Sequence, residues 1–124
     1  LTMEEPVAEA IGRASVAIAD TVGAKLIACF TTSGRTAVRV ARARPAIPIL
    51  SLAPNMGAAR RTLMTYGVVA GLSENVETFE DVVAQARRLA QSSGLVASGD
   101  RIVIAAGIPF GQQGSTNTLR VAEV

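Results

Sequence analysis

Lys25-Leu26-Ile27-Ala28-Cys29-Phe30 is an apolar run with no polar alternation after its lysine, and it breaks at once into Thr31-Thr32-Ser33-Gly34-Arg35-Thr36. An uninterrupted short apolar run reads as a strand buried on both faces, and the hydroxyls and glycine behind it read as a loop. A strand covered on both sides needs helices above and below the sheet, and the flanking sequence supplies them. Upstream, Val7, Ile11, Ala14, Ile18 and Val22 recur at helical spacing and predict an inward-facing stripe, with Pro6 suited to the first turn and Gly23 to the end. Downstream, Ala37 to Ala43 can make a short helix before Arg44-Pro45 stops it, because the residue before a proline is pushed out of the helical region.

The same alternation continues to the end of the chain. Ile47-Pro48-Ile49-Leu50-Ser51-Leu52 predicts a second buried strand, and Asn55 caps a helix carrying Ala59, Leu63 and Tyr66 that Gly67 ends. Val68 to Leu72 predicts a third strand. After the polar segment Ser73 to Thr78, a helix is predicted with Phe79, Val82, Val83, Ala86, Leu89 and Ala90 inward and Glu80, Asp81, Arg87, Arg88 and Gln91 outward. Gly94 and Gly99-Asp100 mark turns, Arg101 to Ala106 a fourth strand, and Thr118 to Ala122 a fifth. Helices between fully apolar strands imply an α/β domain of three layers, with a mostly parallel five-stranded sheet. The last connection is too short for a comfortable crossover, so the fifth strand is expected antiparallel at an edge. No internal repeat, low-complexity tract or interdomain linker is visible.

Composition narrows the function. The 124 residues amount to one domain, 49% hydrophobic and 18% charged, enough to build a single core. There is no His and no Trp, and Cys29 is the lone cysteine. A His/Cys zinc site, a Ser-His-Asp triad, a Cys-His dyad, a CxxC centre and an internal disulfide are thereby excluded. The net charge of +2 comes from dispersed residues, all Arg apart from Lys25, and the four aromatics Phe30, Tyr66, Phe79 and Phe110 offer no stacking platform. No nucleic-acid partner is expected. No apolar run is long enough to span a bilayer, and Leu1-Thr2-Met3-Glu4-Glu5-Pro6 lacks the basic and apolar pattern of a secretory signal. No membrane partner is expected, and a lone thiol suits a reducing, cytoplasmic setting. Opening on Leu rather than Met hints at a fragment or a processed product.

Two segments are candidate sites. Thr31, Thr32, Ser33, Gly34, Arg35 and Thr36 lie between a strand end and a helix start, where free N–H groups, hydroxyls and a guanidinium suit a phosphate. The plainer alternative is that the hydroxyls cap the helix while Arg35 faces solvent. A nucleotide P-loop is not supported, since Cys29 stands at its first glycine position and Arg35 at its lysine. The second segment runs from Gly107 through Phe110, Gly111, Gln112 and Gln113 to Gly114 and on to Asn117. It precedes a strand rather than a helix, so a dinucleotide fingerprint is not supported. It reads as a mobile hairpin loop that could close over a ligand at the first segment if strands one and four are neighbours. Cys29 reads as a core residue, Arg39, Arg42 and Arg44 as a solvated or subunit-contact face, and Glu77, Glu80 and Asp81 as favourable charge at a helix start. No general base stands beside the hydroxyls, and no metal site is expected.

The order of landmarks resembles the C-terminal domain of pyruvate kinase. Matching stretches are Gly23-Ala24-Lys25, Thr32-Ser33-Gly34-Arg35-Thr36-Ala37, Arg44-Pro45 with Pro48-Ile49, Tyr66-Gly67-Val68, Gly99-Asp100, and Gly114-Ser115-Thr116-Asn117-Thr118-Leu119-Arg120-Val121. Residues 1–124 are read as one such domain, with residues 1–5 as a disordered or added lead. The resemblance implies a regulatory, non-catalytic unit of an enzyme that converts phosphoenolpyruvate and ADP to pyruvate and ATP in glycolysis. Catalytic residues, with magnesium and potassium, belong to a separate barrel domain, so this chain alone is expected to be inactive and to hold no cofactor. The resemblance also implies allosteric control and homotetramer contacts. By position, Thr31, Thr32, Ser33, Gly34, Arg35 and Thr36 would hold an effector phosphate, and the loop with Gly107, Phe110, Gly111, Gln112, Gln113 and Gly114 would fold over the sugar.

The pattern departs in one respect. Members responding to fructose 1,6-bisphosphate generally place basic or aromatic residues for the second phosphate after the third strand, where this chain has the acidic Ser73-Glu74-Asn75-Val76-Glu77-Thr78. A sugar monophosphate or nucleoside monophosphate is therefore the expected effector. The alternative is a structural oligomerisation module with a vestigial pocket.

Overall fold

The computed structural model describes residues 4–30, 35–53, 68–72, 78–106 and 118–124. The helix expected from Asn55 to Tyr66 and the Ser73–Glu77 segment lie outside them. Within the described residues, α1 (Glu4–Val22), β1 (Leu26–Phe30), α2 (Arg35–Arg42), β2 (Ile49–Ala53), β3 (Val68–Leu72), α3 (Phe79–Ser92), β4 (Arg101–Ala106) and β5 (Thr118–Glu123) follow in order. The five strands form one sheet in the order β3-β2-β1-β4-β5. All pairings are parallel except β4 with β5, which is antiparallel. Glu4 and Glu5, read as part of a lead, belong to the first turn of α1.

Every residue of β1 is buried, and so is every residue of β4 after Arg101. Alternation along the strands divides these side chains between two clusters. Ile27, Cys29, Ile49, Val103 and Ala105 pack with Ala19 of α1 and with Ala37 and Val40 of α2. Leu26, Ala28, Phe30, Leu50, Leu52, Ile102, Ile104 and Ala106 pack with Val82, Val83, Ala86 and Ala90 of α3. The sheet is thus covered on both faces, as its lack of polar alternation requires. The predicted orientation of α3 holds: Glu80, Asp81, Arg87, Arg88 and Gln91 are exposed.

The orientation of α1 differs from the expectation. Its buried positions are Ala8, Gly12, Ser15 and Ala19, one residue round from the stripe of larger side chains; Val7 is exposed, and Ile11, Ile18 and Val22 flank the core half-buried. At Gly12 the packing of α1 on α2 is close: an added Cβ would lie 3.6 Å from the Cβ of Arg39 and 3.7 Å from its backbone carbonyl, so a small residue fits there and a large one does not. The hydroxyl of Ser15 is satisfied locally, donating to the carbonyl of Gly12 at 2.7 Å.

Two glycines do work that no L-residue does cheaply. Gly23 ends α1 at φ 67°, and Gly99 turns at φ 92° into β4 while donating its N–H to the Val124 carbonyl at 2.8 Å.

Candidate functional site

The topology singles out one edge of the sheet. β1 and β4 are parallel neighbours, with Ala28 opposite Ile104 and Cys29 opposite Ala105. Their carboxyl ends, Phe30 and Ala106, therefore reach the same sheet edge. The chain order also reverses between these two strands, since β2 and β3 extend to one side of β1 while β4 and β5 extend to the other. α2, which follows β1, packs on one face of the sheet, and α3, which precedes β4, packs on the other. In open α/β sheets a crevice forms outside the carboxyl ends at such a reversal, and ligands occupy it.

The first candidate segment begins at that edge. Thr31, Thr32, Ser33 and Gly34 lie outside the described residues, as do Gly107, Phe110, Gly111, Gln112, Gln113 and Gly114. What is described is their anchorage: Phe30 ends β1, Arg35 opens α2, Ala106 ends β4 and Thr118 opens β5. The first turn of α2 thus follows the carboxyl end of β1, and a helix N-terminus has the polarity that favours an anion. Thr36 is buried, 4% exposed, in that turn. It is held within the fold and does not project freely from the edge.

Cys29 sits mid-strand with no solvent contact, and burial pushes its thiol up to about 12. The thiolate is the reactive form, so this residue is inert core, as its apolar neighbours suggested.

The arginines of α2 do not form one solvated face. Arg42 is exposed, but Arg39 is 8% exposed, with its Nε 3.5 Å from Oε1 of Glu9 on α1. The same carboxylate oxygen lies 4.0 Å from Arg42. Arg39 is buried because small residues bring α1 close enough for its stem to fill the interhelical contact.

A capping box at the start of α3 escaped the sequence reading. The hydroxyl of Thr78 accepts from the Asp81 N–H at 3.1 Å, and the Asp81 carboxylate accepts from the Thr78 N–H at 3.1 Å. The signal was present in Thr78-Phe79-Glu80-Asp81, a Ser/Thr followed three residues later by an acid. Arg120 of β5 pairs with Glu80 in the same turn and ties the edge strand to α3.

Among the described residues no group of three or more acidic or cysteine side chains is placed to hold a metal ion. No described helix is long and apolar enough to cross a membrane.

An α/β domain with a doubly covered, mostly parallel sheet whose strand order reverses between β1 and β4 is the class that these features define. The chain belongs to the family "Pyruvate kinase, alpha/beta domain", whose model matches residues 9–122. It is 46% identical over 119 residues to a pyruvate kinase of Agrobacterium vitis, covering 96% of this chain and 24% of that protein. It is 36% identical to a pyruvate kinase of Methylorubrum extorquens over 97% of this chain and 25% of the relative. With a pyruvate kinase of Lactococcus lactis subsp. lactis the identity is 36%, over 99% of this chain and 24% of the relative. The chain therefore spans about a quarter of the length of these relatives.

Proposed function

We propose that this chain is the regulatory domain of a pyruvate kinase and that it binds a phosphorylated effector at Thr31–Thr36. In this reading the hydroxyls and the backbone N–H groups at the start of α2 take the phosphate oxygens, Arg35 pairs with its charge, and the Gly107–Gly114 loop closes over the sugar. The observation that carries it is the parallel pairing of β1 with β4, which sends both loops from one sheet edge. The acidic segment from Ser73 to Thr78 and the absence of Arg from the closing loop favour a monophosphate over a bisphosphate.

The effector would bias a two-state homotetramer, to which this domain contributes contacts, and so alter phosphoenolpyruvate affinity in a separate barrel domain. The transfer from phosphoenolpyruvate to ADP, with its magnesium and potassium, would occur in that barrel and in the cytoplasm. Alone, the chain would be inactive.

Isothermal titration with glucose 6-phosphate, ribose 5-phosphate, AMP and fructose 1,6-bisphosphate tests the binding. A monophosphate is expected to bind, and Arg35→Ala to weaken it by about tenfold or more, the worth of a charge-assisted contact. Absence of heat with all four compounds overturns the effector site. A stable oligomer under light scattering that ignores every phosphate would make the chain an oligomerisation module instead.

A further inference from the structure

A cleft lies at the amino end of β1, opposite the edge where Thr31 follows the strand. It encloses about 580 Å³ between the C-terminal turns of α1 and α2, below the entry to β1 and β2, and it is lined by Arg13, Lys25 and Arg44, one carboxylate, Asp20, and an apolar wall that includes Val16 and Ile47. Its size is that of a small-molecule site. Arg13, Lys25 and Arg44 are exposed, and none has an ion-pair partner among the described residues. The C-terminal carbonyls of both helices contribute partial negative charge here, about half a unit each. Three cations against Asp20 and those two helix ends leave the cleft positive.

The backbone supplies a second, independent observation. Arg44 has φ 51°, and it is the one non-glycine with positive φ among the described residues. It caps α2, donating its N–H to the Ala41 carbonyl at 3.0 Å, directly before Pro45. Glycine or asparagine takes this left-handed cap at little cost, and a residue preceding proline is normally extended. An arginine held there stores strain, and it places a cationic residue in the lining of the cleft, where glycine would have no charge.

We infer that this cleft binds a small organic phosphate monoester, with the phosphate among Arg13, Lys25 and Arg44 and the organic part against the apolar wall. The site is distinct from Thr31–Thr36: Lys25 and Thr31 flank β1 at its two ends, so the two sites are separated by the length of the strand.

Titration of the 124-residue chain with AMP, followed by amide resonances in two-dimensional NMR, tests this. Amides of Gly23, Lys25 and Ala46 are expected to move saturably. Arg44→Gly and Arg13→Ala are each expected to weaken that response about tenfold, while Arg35→Ala leaves it within about twofold. Arg44→Gly relieves the left-handed strain, so its melting temperature is expected to match or exceed that of the parent; Arg13→Ala, at an exposed helical position, is a second variant that keeps the fold. Inorganic phosphate is expected to bind more weakly than AMP. Equal affinity for the two overturns the role of the apolar wall. Unmoved cleft amides at saturating AMP, or a response indifferent to both Arg variants, overturn the site, whatever happens at the Thr31–Thr36 loop.

Discussion

The Nε of Arg39 lies 3.5 Å from Oε1 of Glu9, joining α2 to α1 beside the close approach of Gly12 to Arg39. The guanidinium is buried and the carboxylate is partly exposed, so the two partners carry unequal weight. Glu9→Ala is expected to lower unfolding free energy by about 1–2 kcal/mol in urea titration, since a buried charge loses a partner that solvent screens only in part. In a double-mutant cycle with Arg39→Met, a coupling near zero would contradict this account.

Gly12 tests how tight the contact is. A Cβ at 3.6 Å from Arg39 is ordinary van der Waals contact, and alanine is favoured over glycine inside a helix by about 1 kcal/mol. Gly12→Ala is therefore expected to stabilise the protein by about 0.5–1 kcal/mol, and Gly12→Leu to destabilise it by about 1–3 kcal/mol through overpacking. Chemical denaturation of both variants checks the sign change.

Cys29 predicts a loss of stability at high pH. Its thiol titrates at about 12 in the fold against 9.0 ordinarily. Between these values the unfolded chain releases a proton that the native chain keeps, so stability falls as pH rises, by up to about 1.4 kcal/mol per pH unit from this group. Below 9 it contributes no slope. The Cys29→Ala variant should lose this component of the pH dependence, and the native thiol should resist alkylation at neutral pH. Rapid alkylation without unfolding would contradict its placement.

The capping box predicts a local effect. Thr78→Ala removes the acceptor for the Asp81 N–H, and loss of such a cap costs about 1 kcal/mol. Hydrogen exchange at the first turn of α3 should accelerate while β1 and β4 stay protected. Unchanged exchange there would mean that packing of Val82 and Val83 alone holds the turn.

Some of this architecture is legible in the residues themselves. Leu26 to Phe30 and Ile102 to Ala106 have no polar alternation, which only strands covered on both faces can satisfy, and Phe79 to Ala90 carries its burial in its 3.6-residue period. The antiparallel β5 follows from the shortness of its connection. These readings rest on local chemistry, where neighbours in sequence are also neighbours in space.

Other features were decided by contacts between distant segments. Apolarity alone pointed α1 at the core through Val7, Ile11 and Ile18. In the fold Ala8, Gly12, Ser15 and Ala19 are buried instead, and at Gly12 the close approach of Arg39 on α2 admits only a small residue. Nothing around Arg39 announces its burial, which requires Glu9 on another helix. The Thr31–Thr36 segment has a phosphate-binding composition in isolation, but that β1 and β4, the strands that lead into it and into the Gly107–Gly114 segment, end at one sheet edge depends on their parallel pairing. Sequence by itself determined the class of fold and the chemistry available to one loop. Tertiary structure decided which faces touch and which loops share an edge, because strand order and helix separation are properties of the packed whole.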